Sequence, residues 1–178
     1  MARKRLLKET YSTDSEILET VGAADRVTGQ ATRREIHDKG LLHRAVHIFV
    51  FNSSGEIFVQ RRAGHKDRHP LKLDSSAAGH VDPGESYEIS ALRELGEELG
   101  LTSEVEEVLR VAACEATDYE HVTLFKVVAD SQPVLNEAEL HWGGFMKRDT
   151  LSRLIENNPR DFVPAFILLW KEFLRRSQ

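Results

Sequence analysis

The stretch GHVDPGESYEISALRELGEELGL, from Gly79 to Leu101, carries the clearest structural signals in this chain. Its DPGES segment has the residues of a turn, and Ser86 at the end of that segment can cap a helix. Gly100 can adopt the left-handed conformation that ends a helix. We therefore predict a helix from about Tyr87 to Leu99, preceded by a tight loop and by a short strand of small residues, SSAAGHV.

Three carboxylates lie close together in this predicted helix. Glu94, Glu97 and Glu98 accompany a single cation, Arg93, and like charges at this spacing destabilise a helix by roughly a few tenths of a kcal/mol per pair. Either the face is simply solvated, as most charged helix faces are, or a bound cation compensates the repulsion. We expect the acidic face to point to water or to a site, because an apolar stripe falls on the other side of the helix. That stripe consists of Ile89, Leu92, Leu95 and Leu99.

The spacing of the specified residues favours a site. Glu85 follows Gly79 after five residues, and Arg93 follows Glu85 after seven more. The pattern continues at Glu94, Leu95, Glu97, Glu98, Gly100 and Leu101. Coincidences at all nine positions would arise on the order of once per billion start positions at average residue frequencies. The stretch resembles the Nudix box at every specified position, and the chain is identified on that basis as similar to the Nudix hydrolase superfamily.

This resemblance implies a fold and an activity. The fold class is α+β, as the Nudix fold, an α/β/α sandwich around a mixed β-sheet. The activity is that of a metal-dependent hydrolase, which cleaves the diphosphate bond of a nucleoside diphosphate derivative or a similar organic diphosphate. In the family, the counterparts of Glu94, Glu97 and Glu98 hold Mg²⁺ or Mn²⁺, and the carbonyl of the counterpart of Gly79 often contributes. Such hard cations prefer oxygen ligands and bind together with substrate phosphates.

The box also suggests catalytic roles for three of its residues. A carboxylate must accept the proton of the attacking water, and Glu94 or Glu97 is the candidate. Arg93 is expected to orient Glu85 or Glu97 as a neighbour of the metal ligands. The alternative for Arg93 is an ordinary surface ion pair, worth under about 1 kcal/mol.

A second resemblance extends toward the N-terminus. LLHRAVHIFVFNSSGEIFVQRRAGHKDRHP, residues 41–70, looks like the approach to the box in the isopentenyl-diphosphate isomerase branch of the superfamily. By that likeness Glu120 joins the candidate metal ligands. The residues that match the metal-binding set of the isomerases are His43 and His80, and His37 is a looser match. Asp118 or Glu120 would match the acidic pair that the isomerases carry on a later strand.

Two departures argue against isomerase activity. Ala78 stands where the isomerases have their catalytic cysteine, and Leu73 stands where they have a tryptophan over the substrate. A methyl group cannot exchange protons, and Cys114 is too distant in sequence to replace the cysteine. An isomerase-like protein is therefore the disfavoured alternative. A non-catalytic ligand-binding Nudix domain is the third hypothesis, against which the intact acidic set argues.

A local basic cluster precedes the box. Arg61, Arg62 and Lys66 lie in the segment RRAGHKDRHP, where their charge could attract substrate phosphates. Together with His43 and His80 they are our candidate substrate-binding residues. The alternatives are a solvated loop for the cations and hydrogen-bonded structural roles for the histidines.

The remaining segments mix strands and helices without regular alternation, which favours an α+β sandwich over a doubly wound sheet. SEILETV and VTGQA are predicted strands, and Thr32 would cap the brief helix RREIHDKG. AVHIFVFN and EIFVQRR form a predicted hairpin. Three further strands are expected in EVEEVLRVAACEA, HVTLFKVVAD and ELHWGGFMK, and two final helices in RDTLSRLIENN and DFVPAFILLWKEFLRRS.

The whole chain has the size and composition of one soluble enzyme domain. We assign residues 1–178 to a single domain, on which a segment of about residues 1–42 packs. The net charge of −5 gives no sign of a nucleic-acid partner. The single cysteine, an N-terminus MARKRLLKET without the pattern of a signal peptide, and the lack of a long apolar run indicate a cytoplasmic protein that does not cross a membrane. The apolar last helix could pack in the core or against a second subunit, as in a homodimer.

Overall fold

The computed structural model describes residues 13–177. The basic lead of the chain lies outside the described residues. Within this range four α-helices are present: α1 (Arg33–Lys39), α2 (Tyr87–Leu99), α3 (Arg148–Asn157) and α4 (Pro164–Arg176). Nine strands are β1 (Ile17–Val21), β2 (Val27–Thr32), β3 (His43–Phe51), β4 (Ile57–Arg62), β5 (Leu73–Asp74), β6 (Ala77–His80), β7 (Glu106–Val111), β8 (Glu120–Val128) and β9 (Leu140–Met146). Among these described residues, no helix combines the length and apolarity needed to cross a membrane.

The main sheet is mixed and divides into two halves. β3 pairs in parallel with β8 along its whole length and antiparallel with β6, and β7 adds to β8. β4 pairs with β5 and β9. The predicted hairpin of β3 and β4 exists, but its register contains a single pair, Phe51 with Ile57. Beyond the turn the two strands separate, because Ser76 lies between them: its hydroxyl accepts from Val50 N at 2.8 Å and donates to the Phe58 carbonyl at 2.5 Å.

Helices cover both faces of the sheet. On one face α3 and α4 pack with the odd-numbered residues of β3, including Phe49 and Phe51. On the other face α2 packs with the even-numbered residues, such as Val46 and Ile48. The predicted α/β/α sandwich is therefore confirmed. The apolar face of α4 lies in the core, with Trp170 only 1% exposed, which is the first of the two places predicted for this helix.

The capping signals of the sequence are confirmed. The Ser86 hydroxyl accepts a hydrogen bond from Ile89 N at 3.2 Å, and Gly100 adopts φ 63° at the end of α2. Thr32 and Gly40 cap α1 in the same way. β1 and β2 form a separate two-stranded sheet, attached to the main body by the bond from Val21 N to the Leu42 carbonyl at 2.8 Å.

The apolar stripe that we predicted for α2 is partly wrong. Leu95 and Leu99 are buried, but Ile89 is 55% exposed and Leu92 is 42% exposed. Their expected places against the sheet are taken by small residues and by a glutamate, because the helix is rotated about its axis relative to the prediction. The buried residues of α2 are Ser90, Ala91, Leu95, Glu98 and Leu99. The acidic face therefore turns partly toward the sheet and not wholly away from it.

Candidate active site and metal centre

β6 separates two groups of polar side chains because alternate residues of a strand point to opposite faces of a sheet. Gly79 pairs with Val46, whose side chain lies on the α2 face. His80 pairs with Ala45, whose side chain lies on the opposite face. The box glutamates thus approach β6 from one side, and the candidate histidines lie on the other.

Gly79 allows the closest approach between α2 and the sheet. A Cβ atom at this position would lie 2.2 Å from the carboxyl carbon of Glu94, which is well inside van der Waals contact. The Glu94 carboxylate thus occupies the space that any side chain at position 79 would fill. The glycine is needed here for room and not for a special backbone conformation, since its φ is not in the left-handed region.

Arg93 joins the loop, the helix and β6. Its guanidinium donates to Glu94 Oε1 at 2.5 Å, to the His80 carbonyl at 2.9 Å and to Glu85 Oε2 at 3.2 Å, and it reaches Glu97 Oε2 at 3.5 Å. Glu94 raises the pKa of Arg93 against the opposing effect of burial, so the guanidinium remains charged. The predicted partners Glu85 and Glu97 are both within reach, and Glu94 is the additional, closest one.

Glu98 is the most deeply placed carboxylate of the box, at 6% exposure. Its Oε2 atom accepts hydrogen bonds from Gln60 Nε2 at 2.9 Å and from Ala78 N at 3.3 Å. Burial raises the pKa of Glu98 well above its usual value, and the charge of Glu94 adds to this effect. Burial likewise raises the pKa of Glu94 to about 7, although Arg93 opposes the shift. The positive charge near these two carboxylates is therefore too small to offset the effect of their burial.

The three box glutamates differ in how closely they approach β6. Glu94 and Glu98 lie at the surface of β6, whereas the Glu97 side chain is 44% exposed and contacts Arg93 at 3.5 Å. The donor set is made of carboxylate oxygens, which fits a hard divalent cation. The Gly79 carbonyl belongs to the same strand, and the predicted role of these atoms as metal ligands remains a prediction.

The histidines of the opposite face form a tighter cluster. One ring nitrogen each from His37, His43 and His80 lie within 4.8 Å of one another. Glu120 Oε1 is 3.4 Å from Nε2 of both His43 and His80. Within the described residues, the buried Nε2 atoms of His37 and His43 lack a hydrogen-bond partner. We call these four residues the histidine cluster.

The protonation states of His37 and Glu120 suit metal binding, which requires neutral imidazoles and ionised carboxylates. Burial, followed by the charges of His80 and His43, lowers the pKa of His37 to about 4. Although burial opposes ionisation, contacts with His43 and His80 hold the pKa of Glu120 well below its usual range. Asp118, the other acidic candidate, is engaged elsewhere, since it pairs with Arg68 at 2.5 Å and with His69 at 3.1 Å.

The candidate substrate-binding cations are engaged in contacts within the chain. Arg62 lies 3.2 Å from Asp74, Arg61 donates to the Leu71 carbonyl at 2.8 Å, and Lys66 pairs with Glu139. A phosphate would have to replace these partners, so their binding role stays a prediction. His47, which shares a strand face with His43 as expected, is hydrogen-bonded to the Ser75 hydroxyl at 2.6 Å.

Two residues near the site were not predicted from the sequence. Gln60, on β4, donates a hydrogen bond to Glu98 on α2, and its single signal in the sequence was the imperfect alternation of EIFVQRR. Glu139 comes from the turn before β9, and its charge contributes to raising the pKa of both Glu94 and Glu98. Nothing local in its sequence distinguishes it from other surface glutamates.

Comparison with known proteins identifies the family of this chain. The NUDIX domain model matches residues 41–166. Isopentenyl-diphosphate Delta-isomerase 2 of Photorhabdus laumondii is 34% identical over 159 residues, which cover 85% of this chain and 88% of that protein. An uncharacterized Nudix hydrolase of Nostoc is 48% identical over 89 residues, 49% of this chain and about half (53%) of the relative.

The fold also matches solved structures. The crystal structure of DR0079 from Deinococcus radiodurans superposes with a TM-score of 0.72 at 28% identity, covering 80% of this chain and 90% of that one. The family model spans most of the chain, and the isomerase relative is aligned over most of its own length. The chain therefore belongs to the Nudix family and resembles its isopentenyl-diphosphate isomerase-like branch.

Proposed function

We propose that this protein is a Mg²⁺- or Mn²⁺-dependent hydrolase that cleaves the diphosphate bond of a nucleoside diphosphate derivative or a similar organic diphosphate. Membership of the Nudix family supports a Nudix hydrolase. The observation that carries the proposal is a pair of carboxylates held against β6: Glu98 is buried, and the Glu94 side chain, 12% exposed, occupies the room that Gly79 leaves. Buried carboxylates with raised pKa values are costly unless a cation compensates them.

The residues of the box would have three roles, which are metal binding, positioning of the carboxylates and proton acceptance. Glu94, Glu97, Glu98 and the Gly79 carbonyl would hold the cation, which when bound neutralises charge on the diphosphate and lowers the pKa of the attacking water. Arg93 would hold the carboxylates in place through its bonds to Glu85 and Glu94. Glu94 or Glu97 would accept the proton of the water.

A substrate panel tests the proposal. The purified protein would be incubated with nucleotide sugars, dinucleotides, nucleoside triphosphates, coenzyme A and prenyl diphosphates, and the released phosphate or monophosphate measured. Turnover is expected with Mg²⁺ or Mn²⁺ and none with a chelator. Metal-dependent binding of a panel member without turnover would support the ligand-binding alternative and would contradict the hydrolase.

Metal binding at the box should depend on pH. Because the pKa of Glu94 is raised to about 7 and that of Glu98 is also raised, both carboxyls hold protons at acidic pH that a cation must displace. Mg²⁺ affinity measured by calorimetry should therefore rise with pH, and the part of the rise that comes from Glu94 should be complete above about pH 7. Below that pH it should fall by about tenfold per unit for each displaced proton. Equal affinities at about pH 5.5 and 7.5 would contradict the raised pKa values.

A second candidate function rests on the histidine cluster. We propose that His37, His43, His80 and Glu120 bind a divalent transition metal, because imidazole nitrogen suits such ions better than it suits Mg²⁺. This cluster favours chemistry related to that of the isomerase relatives, but Ala78, on the same face of β6, cannot carry a proton. Deuterium exchange into isopentenyl diphosphate is the discriminating assay. Its absence would eliminate isomerisation.

A further inference from the structure

The charge of Glu139 acts on Glu94 and Glu98, although Glu139 follows the box by about 40 residues in the sequence. The turn that precedes β9 is fastened to the last turn of α2: Val134 N donates to the Leu99 carbonyl at 2.8 Å, and Asn136 N donates to the Glu98 carbonyl at 3.0 Å. These backbone bonds bring the Glu139 carboxylate near the box, where it adds negative charge to a group of carboxylates that already repel one another.

A lysine neutralises this additional carboxylate. Lys66 Nζ forms an ion pair with Glu139 Oε2, and the two side chains are only 21% and 33% exposed. The loop that carries Lys66 is attached at the same point, because Ala63 N donates to the Glu139 carbonyl at 3.0 Å. The ammonium lowers the pKa of Glu98 while Glu139 raises it. Lys66 is therefore a cation within the electrostatic field of the box.

We propose that Lys66 is an internal counter-ion that competes with the divalent cation for Glu139. In the metal-free protein the ammonium would neutralise Glu139, and when it moves away the carboxylate would become available to the cation. This inference rests on the proposed function of the box. A lysine suits such an exchange because its charge is compact and its stem flexible.

The exchange would couple substrate binding to metal binding. An ammonium that leaves Glu139 is free to pair with a phosphate oxygen of the substrate. Substrate would then strengthen Mg²⁺ binding, and Mg²⁺ would strengthen substrate binding by the same factor, since such linkage is reciprocal. Lys66 would thus serve as a positioning residue for the phosphates as well as a competitor of the metal.

Calorimetric titration of the metal-free protein with Mg²⁺ alone tests the competition. Lys66→Met removes the charge but keeps the length of the side chain, and we expect it to bind Mg²⁺ about tenfold more tightly than the unmodified protein. Lys126→Met is the matched control, because Lys126 pairs with Glu106 at 3.3 Å on the exposed edge of β7 and β8. The control should leave the Mg²⁺ affinity unchanged. Thermal unfolding of each variant establishes that it is folded.

The role of Glu139 is tested by a second pair of variants. Glu139→Gln should weaken Mg²⁺ binding, and adding Lys66→Met to it should change the affinity by less than about twofold, because the two residues would act on each other. Equal affinities of the unmodified protein and Lys66→Met would overturn the inference. If Glu98-dependent hydrolysis were present at the same time, the proposed function would stand and only the inference would fail. Absence of Mg²⁺ binding in every variant would overturn both.

Discussion

Replacing Glu98 with glutamine is expected to reduce hydrolysis of the diphosphate substrate by roughly a thousandfold or more. The substitution keeps the volume of the side chain and removes one negative charge from the group that would hold the cation. Glutamine can still accept from Gln60 and from Ala78 N through its carbonyl oxygen, so the local hydrogen bonds survive. The loss of hydrolysis would therefore result from the missing negative charge and not from a disturbed fold.

The same substitution should not destabilise the protein. Glu98 is buried and its pKa is raised, which means that its ionised form opposes folding in the absence of metal. At neutral pH the free energy of unfolding of metal-free Glu98→Gln should equal or exceed that of the unmodified protein. Denaturant unfolding with a chelator present measures it. Glu156→Gln, on the exposed side of α3, is the matched control, for which both activity and stability should be unchanged.

Activity within tenfold of normal in Glu98→Gln would contradict the assignment of this carboxylate to the metal. A large fall in stability would instead mean that its charge is needed for folding. A functional role predicts lower activity with equal or higher stability, whereas a structural role predicts lower stability. The two measurements together therefore distinguish these roles.

Substituting Gly79 with alanine is expected to lower activity by roughly a hundredfold, as displacements of about 1 Å at a catalytic site can do. The new methyl group would lie 2.2 Å from the carboxyl carbon of Glu94. The Glu94 side chain has little freedom to yield, because Arg93 holds its carboxylate at 2.5 Å. The carboxylate must therefore move away from β6, and Mg²⁺ affinity should fall together with turnover.

The chain offers a matched control for this substitution on α2, the helix that carries Glu94. A Cβ atom on Gly96 would have its nearest neighbour at 3.8 Å, the Leu101 carbonyl oxygen. Gly96→Ala should therefore leave activity unchanged and stabilise α2 by up to about 1 kcal/mol, since alanine is the better helix former. In a Glu94→Ala background, Gly79→Ala should have little further effect on Mg²⁺ affinity. A full effect there would show that the methyl group acts on the backbone of β6 and not through Glu94.

The sequence alone determined the family and the local elements of this protein. The caps at Ser86 and Gly100 set the limits of α2, because a helix end is decided by backbone groups within a few residues. The spacing from Gly79 to Leu101 determined which residues belong to the box. The strand order was not predicted, but the α+β class followed from the irregular mixture of strands and helices, and the α/β/α arrangement followed from the resemblance.

Only the tertiary structure decided how these elements face one another. Periodicity gives the angular separation of residues on α2 but not the rotation of the helix against the sheet, so Leu92 was expected inside and Glu98 outside. The divided hairpin, the meeting of His37 with His43 and His80, and the placement of Glu139 beside the box all depend on contacts between distant segments. Such contacts have no local signal, because they are selected by the packing of the whole core. The sequence thus defined the chemical groups, and the fold decided which of them share one small volume.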